Sequence, residues 1–336
     1  MAMAESTNKS LFDPKSPPPA LKSHRALSQR AAQLSQREPE HEAFGLEPPP
    51  RPAELMRMMC PTVVRTLKEY MSDAATVQAA CERWASMTAQ DVSSRHEAAE
   101  CGAIEAVVGA MEMHTASAGV TENAMGALGN LAAGTDAQGL GRKQRAADAG
   151  VFEAIVAGMR MHADVSGVQA NGAATLGNVA SNVDDLGIAR KRRAVEAGAL
   201  DVLVGCLRAH IGDEAVCDMA AFALGNLVRG RGDKTSADDV DADADGSRAR
   251  KQRAVELGAL EAIVKAMGRH PSSWRVQEYG ARAIANITFR SDDFRSKAIE
   301  AGATQETLDG ACTARILVPD KEREVKGAPS AAADIN

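Results

Sequence analysis

Gly126-Ala127-Leu128-Gly129-Asn130-Leu131 returns three more times along the chain: Ala174-Thr175-Leu176-Gly177-Asn178-Val179, Phe222-Ala223-Leu224-Gly225-Asn226-Leu227 and Arg282-Ala283-Ile284-Ala285-Asn286-Ile287. The asparagines stand at 130, 178, 226 and 286, in steps of 48, 48 and 60, and the longest step holds an acidic insertion. One helix is being written repeatedly at a fixed period. A unit of this size cannot bury its apolar face alone, so neighbouring units must stack and share a core. The chain therefore reads as a solenoid, and its function is expected on a repeated surface.

Two further signals build the unit around that helix. Short charged helices precede Gly102, Gly150, Gly198 and Gly258, and a glycine just past a helix supplies the left-handed turn that a side chain disfavours. A second helix follows, with apolar residues at i, i+3, i+4 and i+7, as in Phe152, Ile155, Val156 and Met159. The same positions elsewhere are Ile104, Val107, Val108, Met111; Leu200, Leu203, Val204, Leu207; and Leu260, Ile263, Val264, Met267. Loops ending near Val120, Val168, Val216 and Val276 are expected to lead into the Asn-bearing third helix.

Outward from these units, residues 53–89 read as a degenerate capping unit, followed by repeats at about 90–133, 140–182, 188–230 and 248–290 and a partial unit at 292–310. Residues 231–247 form an acidic loop. The segments 1–52 and 311–336, rich in Pro, Ser and charge, are expected to be disordered tails. Within the first, Leu21 to Arg37 has the spacing of a transient basic helix, though a solvated linker is the favoured reading.

Composition narrows the function classes. The chain is 45% apolar but only 3% aromatic, a balance that suits closely packed helices. A net charge of −6 gives no case for nucleic-acid binding, where a basic excess is expected. No apolar run approaches the roughly 20 residues that span a bilayer, so no membrane partner is expected. The six cysteines form no C-x-x-C pair, which fits a reducing compartment, cytoplasmic or also nuclear, better than disulfides or zinc. No hydrolase elbow, P-loop or H-E-x-x-H motif is present, and no catalytic residue or cofactor is assigned.

Across residues 53–310 the sequence resembles the armadillo-repeat family: three helices per unit, a Glu-Ala-Gly turn such as Glu196-Ala197-Gly198, and a third helix ending Ala-Leu-x-Asn-Leu. The resemblance implies an all-α fold, a right-handed superhelical solenoid whose third helices line a concave groove. In that family the groove binds extended peptides or partner proteins, and a third-helix Asn often holds the bound backbone. One branch, the importin-α type, carries a Trp four residues before the Asn. This chain has Gly126, Ala174, Phe222 and Arg282 there, which argues against recognition of basic import signals.

Helical geometry treats the asparagines independently of the family. At about 100° per residue they point away from the core positions, and the residues four and seven before them share that side. The candidate groove is then Asn123, Asn130, Asn171, Asn178, Met219, Phe222, Asn226, Tyr279, Arg282 and Asn286. An amide both donates and accepts, so each Asn can bond one peptide unit without reading its side chain. The competing use is a bond from each Asn to a backbone carbonyl within the array.

Three other patterns recur. Arg145, Arg193 and Arg253, with the neighbouring Arg142, Lys143, Arg190, Lys191, Arg192, Arg248, Arg250 and Lys251, could stack into a basic ridge. The favoured alternative pairs them with acids such as Glu196, Glu256, Asp184-Asp185 or Asp238-Asp239. One histidine ends each second helix (His114, His162, His210, His270); units stacked roughly 8 to 10 Å apart hold these rings too far apart for one metal, and a bond to the helix's last carbonyls is expected. Asp241, Asp243, Asp245 and Gly246 match the first half of a calcium loop, but Gln252 replaces its closing Glu, so a solvated acidic loop is expected and no metal is assigned.

The reading is a non-catalytic protein-binding scaffold that holds an extended segment of another protein. The alternatives are a nuclear-transport adaptor and a structural or self-assembling element. The oligomeric state is left open.

Overall fold

The computed structural model describes residues 48–231 and 245–310, and every regular element among them is a helix. Residues 1–47 and 311–336, the basic stretch Leu21 to Arg37 among them, and Asp241 and Asp243 lie outside the described residues, while residues 48–52 of the expected N-terminal tail are described and Pro52 opens the first helix.

The capping unit consists of α1 (Pro52–Leu55), α2 (Cys60–Glu69) and α3 (Ala74–Gln90). The first repeat follows as α4 (Val92–Glu100), α5 (Ala103–Met113) and α6 (Ala118–Leu131), and the second as α7 (Ala137–Asp148), α8 (Val151–Met161) and α9 (Ser166–Val179). The third is α10 (Asp185–Ala197), α11 (Ala199–Ala209) and α12 (Glu214–Val228); the fourth is α13 (Ser247–Glu256), α14 (Ala259–Arg269) and α15 (Trp274–Thr288). Helices α16 (Asp292–Glu300) and α17 (Gln305–Leu308) close the array.

The turn between first and second helix forms as the glycines require. Gly102, Gly150, Gly198 and Gly258 have φ of 88°, 92°, 98° and 76°, where a β-carbon would be strained. The second helices bury their apolar stripes, with Phe152 and Leu203 fully inaccessible, except that Val264 and Met267 of the fourth repeat are half-buried. Val120, Val168, Val216 and Val276 are buried inside the first turn of the third helices, not in the loops before them. A short polar cap three residues earlier, Ser117, Asp213 or Ser273, starts each of three of these helices by accepting a backbone N–H, and this moves the boundary upstream.

The third helices pack chiefly on one another, and small residues let them approach. A β-carbon on Gly177 would lie 2.5 Å from the Phe222 ring and 3.2 Å from the Ala223 Cα, so only glycine fits without displacement.

Candidate functional site

The third helices α3, α6, α9, α12 and α15 together line a depression of about 350 Å³. Its floor is Gly126 and Ala174, its wall Met219 and Phe222, and Asn130, Asn171 and Asn178 stand along it. Asn123, Asn130, Asn171, Asn178, Met219, Phe222, Asn226, Arg282 and Asn286 are all half-buried; Met219 departs from the expected outward pattern in that it packs partly against the core. Tyr279 departs from the expected pattern. Its side chain is only 3% exposed, because its ring packs 5.3 Å from that of Phe222 and the Arg282 guanidinium lies over it at 5.6 Å. Burial raises its phenol above the ordinary value. Tyr279 therefore borders the depression as a support and not as an open surface.

Each third-helix Asn is tied to the preceding helix. The side-chain nitrogens of Asn130, Asn178, Asn226 and Asn286 donate to the carbonyls of Ala85, Gly129, Gly177 and Gly225 at 2.9, 3.1, 3.1 and 3.0 Å. Asn171 does the same two turns earlier, to Glu122 at 3.1 Å. Because the acceptor is a carbonyl, the amide nitrogen must face it, which fixes the amide orientation. One N–H of each amide is committed to the stack. Among the described residues no donor reaches the four Oδ1 atoms. The bond pattern also aligns the capping unit: Ala85 takes the place of Gly129, so Ser86 stands where later units have Asn.

The basic openings divide into two kinds. Arg142, Arg190 and Arg250 are buried, and their Nε atoms donate to the carbonyls of Leu131, Val179 and Leu227 at the ends of the third helices. Arg95 caps α3 in the same way through Thr88. Burial holds the Arg142 and Arg190 guanidiniums below their ordinary values. Lys143 and Lys191 are buried too, the latter 1% exposed and bonded to the Arg229 carbonyl, so the run Arg190 to Arg193 is not presented as a linear signal.

Arg145, Arg193 and Arg253 are the outward set. They pair with Glu105, Glu153 and Asp201 on the second helix of the preceding unit, the last two at 3.0 and 2.8 Å. The partners are thus across the unit boundary, and they are not the acids that the sequence suggested. Sequence reasoning missed them because the pairs span 40 to 52 residues.

His114, His162, His210 and His270 sit at the C-caps of their helices, but the expected bond from the ring to the helix's own last carbonyls is not made: the ring Nε2 atoms meet loop carbonyls of the preceding unit, Met71, Thr115, Ala163 and Ile211, at 2.6 to 2.8 Å. The loop of the neighbouring unit comes within reach only once the units stack. Asp245 accepts from the backbone N–H groups of Arg231 and Ser247, so both its oxygens brace the chain. Burial would raise its carboxyl, but these bonds hold it below the ordinary value. No group of three metal-ligating side chains occurs among the described residues, and no described helix is long and apolar enough to cross a membrane.

One polar cluster was not foreseen. Asp218 on α12 is buried, with Oδ2 3.0 Å from Arg275 Nε on α15 and Oδ1 unpartnered. Burial pushes its carboxyl up to about 6 despite the guanidinium.

Stacked three-helix units joined by third-helix asparagines set the comparison with known structures. An engineered protein matches with a TM-score of 0.58 and 28% identity, over 79% of this chain and 93% of that one. A designed armadillo repeat protein matches with a TM-score of 0.57 and 24% identity over 75% of this chain and 96% of that one, as does one computationally designed for modular peptide recognition. The chain folds as an armadillo-repeat solenoid. Neither a family model nor a curated protein sequence matches this armadillo-repeat chain.

Proposed function

We propose that this protein is a non-catalytic scaffold that holds an extended segment of another protein along the third-helix groove. The observation that carries the reading is the row of half-buried asparagines whose Oδ1 atoms take no donor from the described residues, set beside an apolar depression. Each amide keeps one N–H and an acceptor oxygen, enough to bond one peptide unit in passing. The bond to the preceding helix costs the groove nothing. It preorganises the amide, which lowers the entropy lost on binding. Met219 and Phe222 supply the apolar contact that peptide bonding lacks.

The test is a groove-filling variant. Ala174→Trp closes the depression while leaving every Asn and its acceptor carbonyl in place, so it separates binding from the stacking role of the asparagines. Affinity capture from a native extract is compared between wild type and variant after both are shown to melt alike. Loss of specific partners supports the groove; capture of the same partners by both chains rejects it.

A further inference from the structure

Fixing Ser86 as the counterpart of the later asparagines aligns five third helices. The positions four residues before it then read, unit by unit, Glu82, Gly126, Ala174, Phe222 and Arg282. That row is an acid at one end, two residues too small to fill the groove, an aromatic wall, and a cation at the other end. Glu82 is exposed, and no ion pair with it occurs among the described residues.

Arg282 is held ready. Its guanidinium lies over the Tyr279 ring, and one nitrogen, Nη2, donates to Glu278 at 2.8 Å. This i,i+4 pair occupies one nitrogen and a guanidinium has five N–H donors, so a second carboxylate can join without displacing the first. The two charged ends are more than a Debye length apart if each helix step is about 8 to 10 Å, so they act as separate subsites. The depression between them has no charged residue among its lining, which favours a neutral side chain there.

We propose that the groove selects an extended segment of mixed charge, with a large apolar side chain over Ala174, a basic side chain toward Glu82 and a carboxylate on Arg282. This rests on the groove being the binding site. Each helix step is covered by no more than about three extended residues, so the whole motif fits within roughly a dozen.

The experiment is selection of phage-displayed random peptides of about sixteen residues on the full chain, with each selected peptide then tested for binding to Ala174→Trp, or to Ala174→Phe if the first variant melts early. Selected peptides should carry an apolar residue with Lys or Arg on one side and Asp or Glu on the other. Their affinity at low salt should fall about tenfold or more in the double variant Glu82→Gln, Arg282→Gln. Peptides that lose binding in Ala174→Trp yet bind the double variant within twofold would overturn the charge selection and leave the groove standing. Selected peptides that bind wild type and Ala174→Trp alike would overturn both.

Discussion

Asn178 donates its side-chain amide to the carbonyl of Gly129, 3.1 Å away on the preceding third helix, while the carbonyl of the adjacent Gly177 takes the amide of Asn226. The Gly-Asn pair is thus a connector with two ends. The glycine allows the next helix close enough for its Asn to reach, and the Asn reaches back. The fourth repeat has Ala285 in the glycine position, and no further Asn-bearing helix follows it among the described residues.

Asn178→Ala should lower stability by about 1 kcal/mol, the net value of one such bond. Asn178→Asp should cost more at neutral pH, because a carboxylate then faces a carbonyl oxygen. Urea denaturation followed by circular dichroism reads both. An Asp variant as stable as the Ala variant would mean that the amide does not face Gly129.

Gly177→Ala should destabilise by about 1–3 kcal/mol, as overpacking does. The Phe222 ring can swing away from an added methyl, but the Ala223 backbone cannot. A neutral result in thermal melts would mean that the helices separate more easily than their packing implies.

Arg190 and Arg193 lie three residues apart and should behave very differently. Arg190→Ala removes bonds to the end of α9 from a side chain 2% exposed, and should cost about 2–4 kcal/mol. Arg193→Ala breaks a half-exposed pair with Glu153 and should cost less than about 1 kcal/mol, declining with salt. Equal losses in denaturant titrations would refute this division of the basic run.

Asp218 gives the stability a pH dependence of known sign. Its folded carboxyl takes up a proton near 6, while the ordinary value is 3.8, so between those values the folded chain binds more protons than the unfolded one. Stability should therefore fall as pH rises from about 4 to 6, by roughly 3 kcal/mol from this group alone. Denaturation across pH 4 to 7 should show a shallower fall in Asp218→Asn; identical slopes would contradict the assignment.

What the sequence determined was whatever repeats locally. The recurring Asn phrase, the glycines with positive φ and the i, i+3, i+4, i+7 stripes are set by neighbours within one turn or two, and they define the units, the core faces and the outward side of the asparagines. The tertiary structure decided which groups meet across units. The histidines, the Arg145, Arg193 and Arg253 pairs and the Asn bonds all join residues about 40 to 60 apart, and no local pattern encodes that distance. Burial of Tyr279 and the alignment of Ser86 with the ladder likewise follow from helix stacking, because a side chain's exposure depends on the neighbouring helix that covers it.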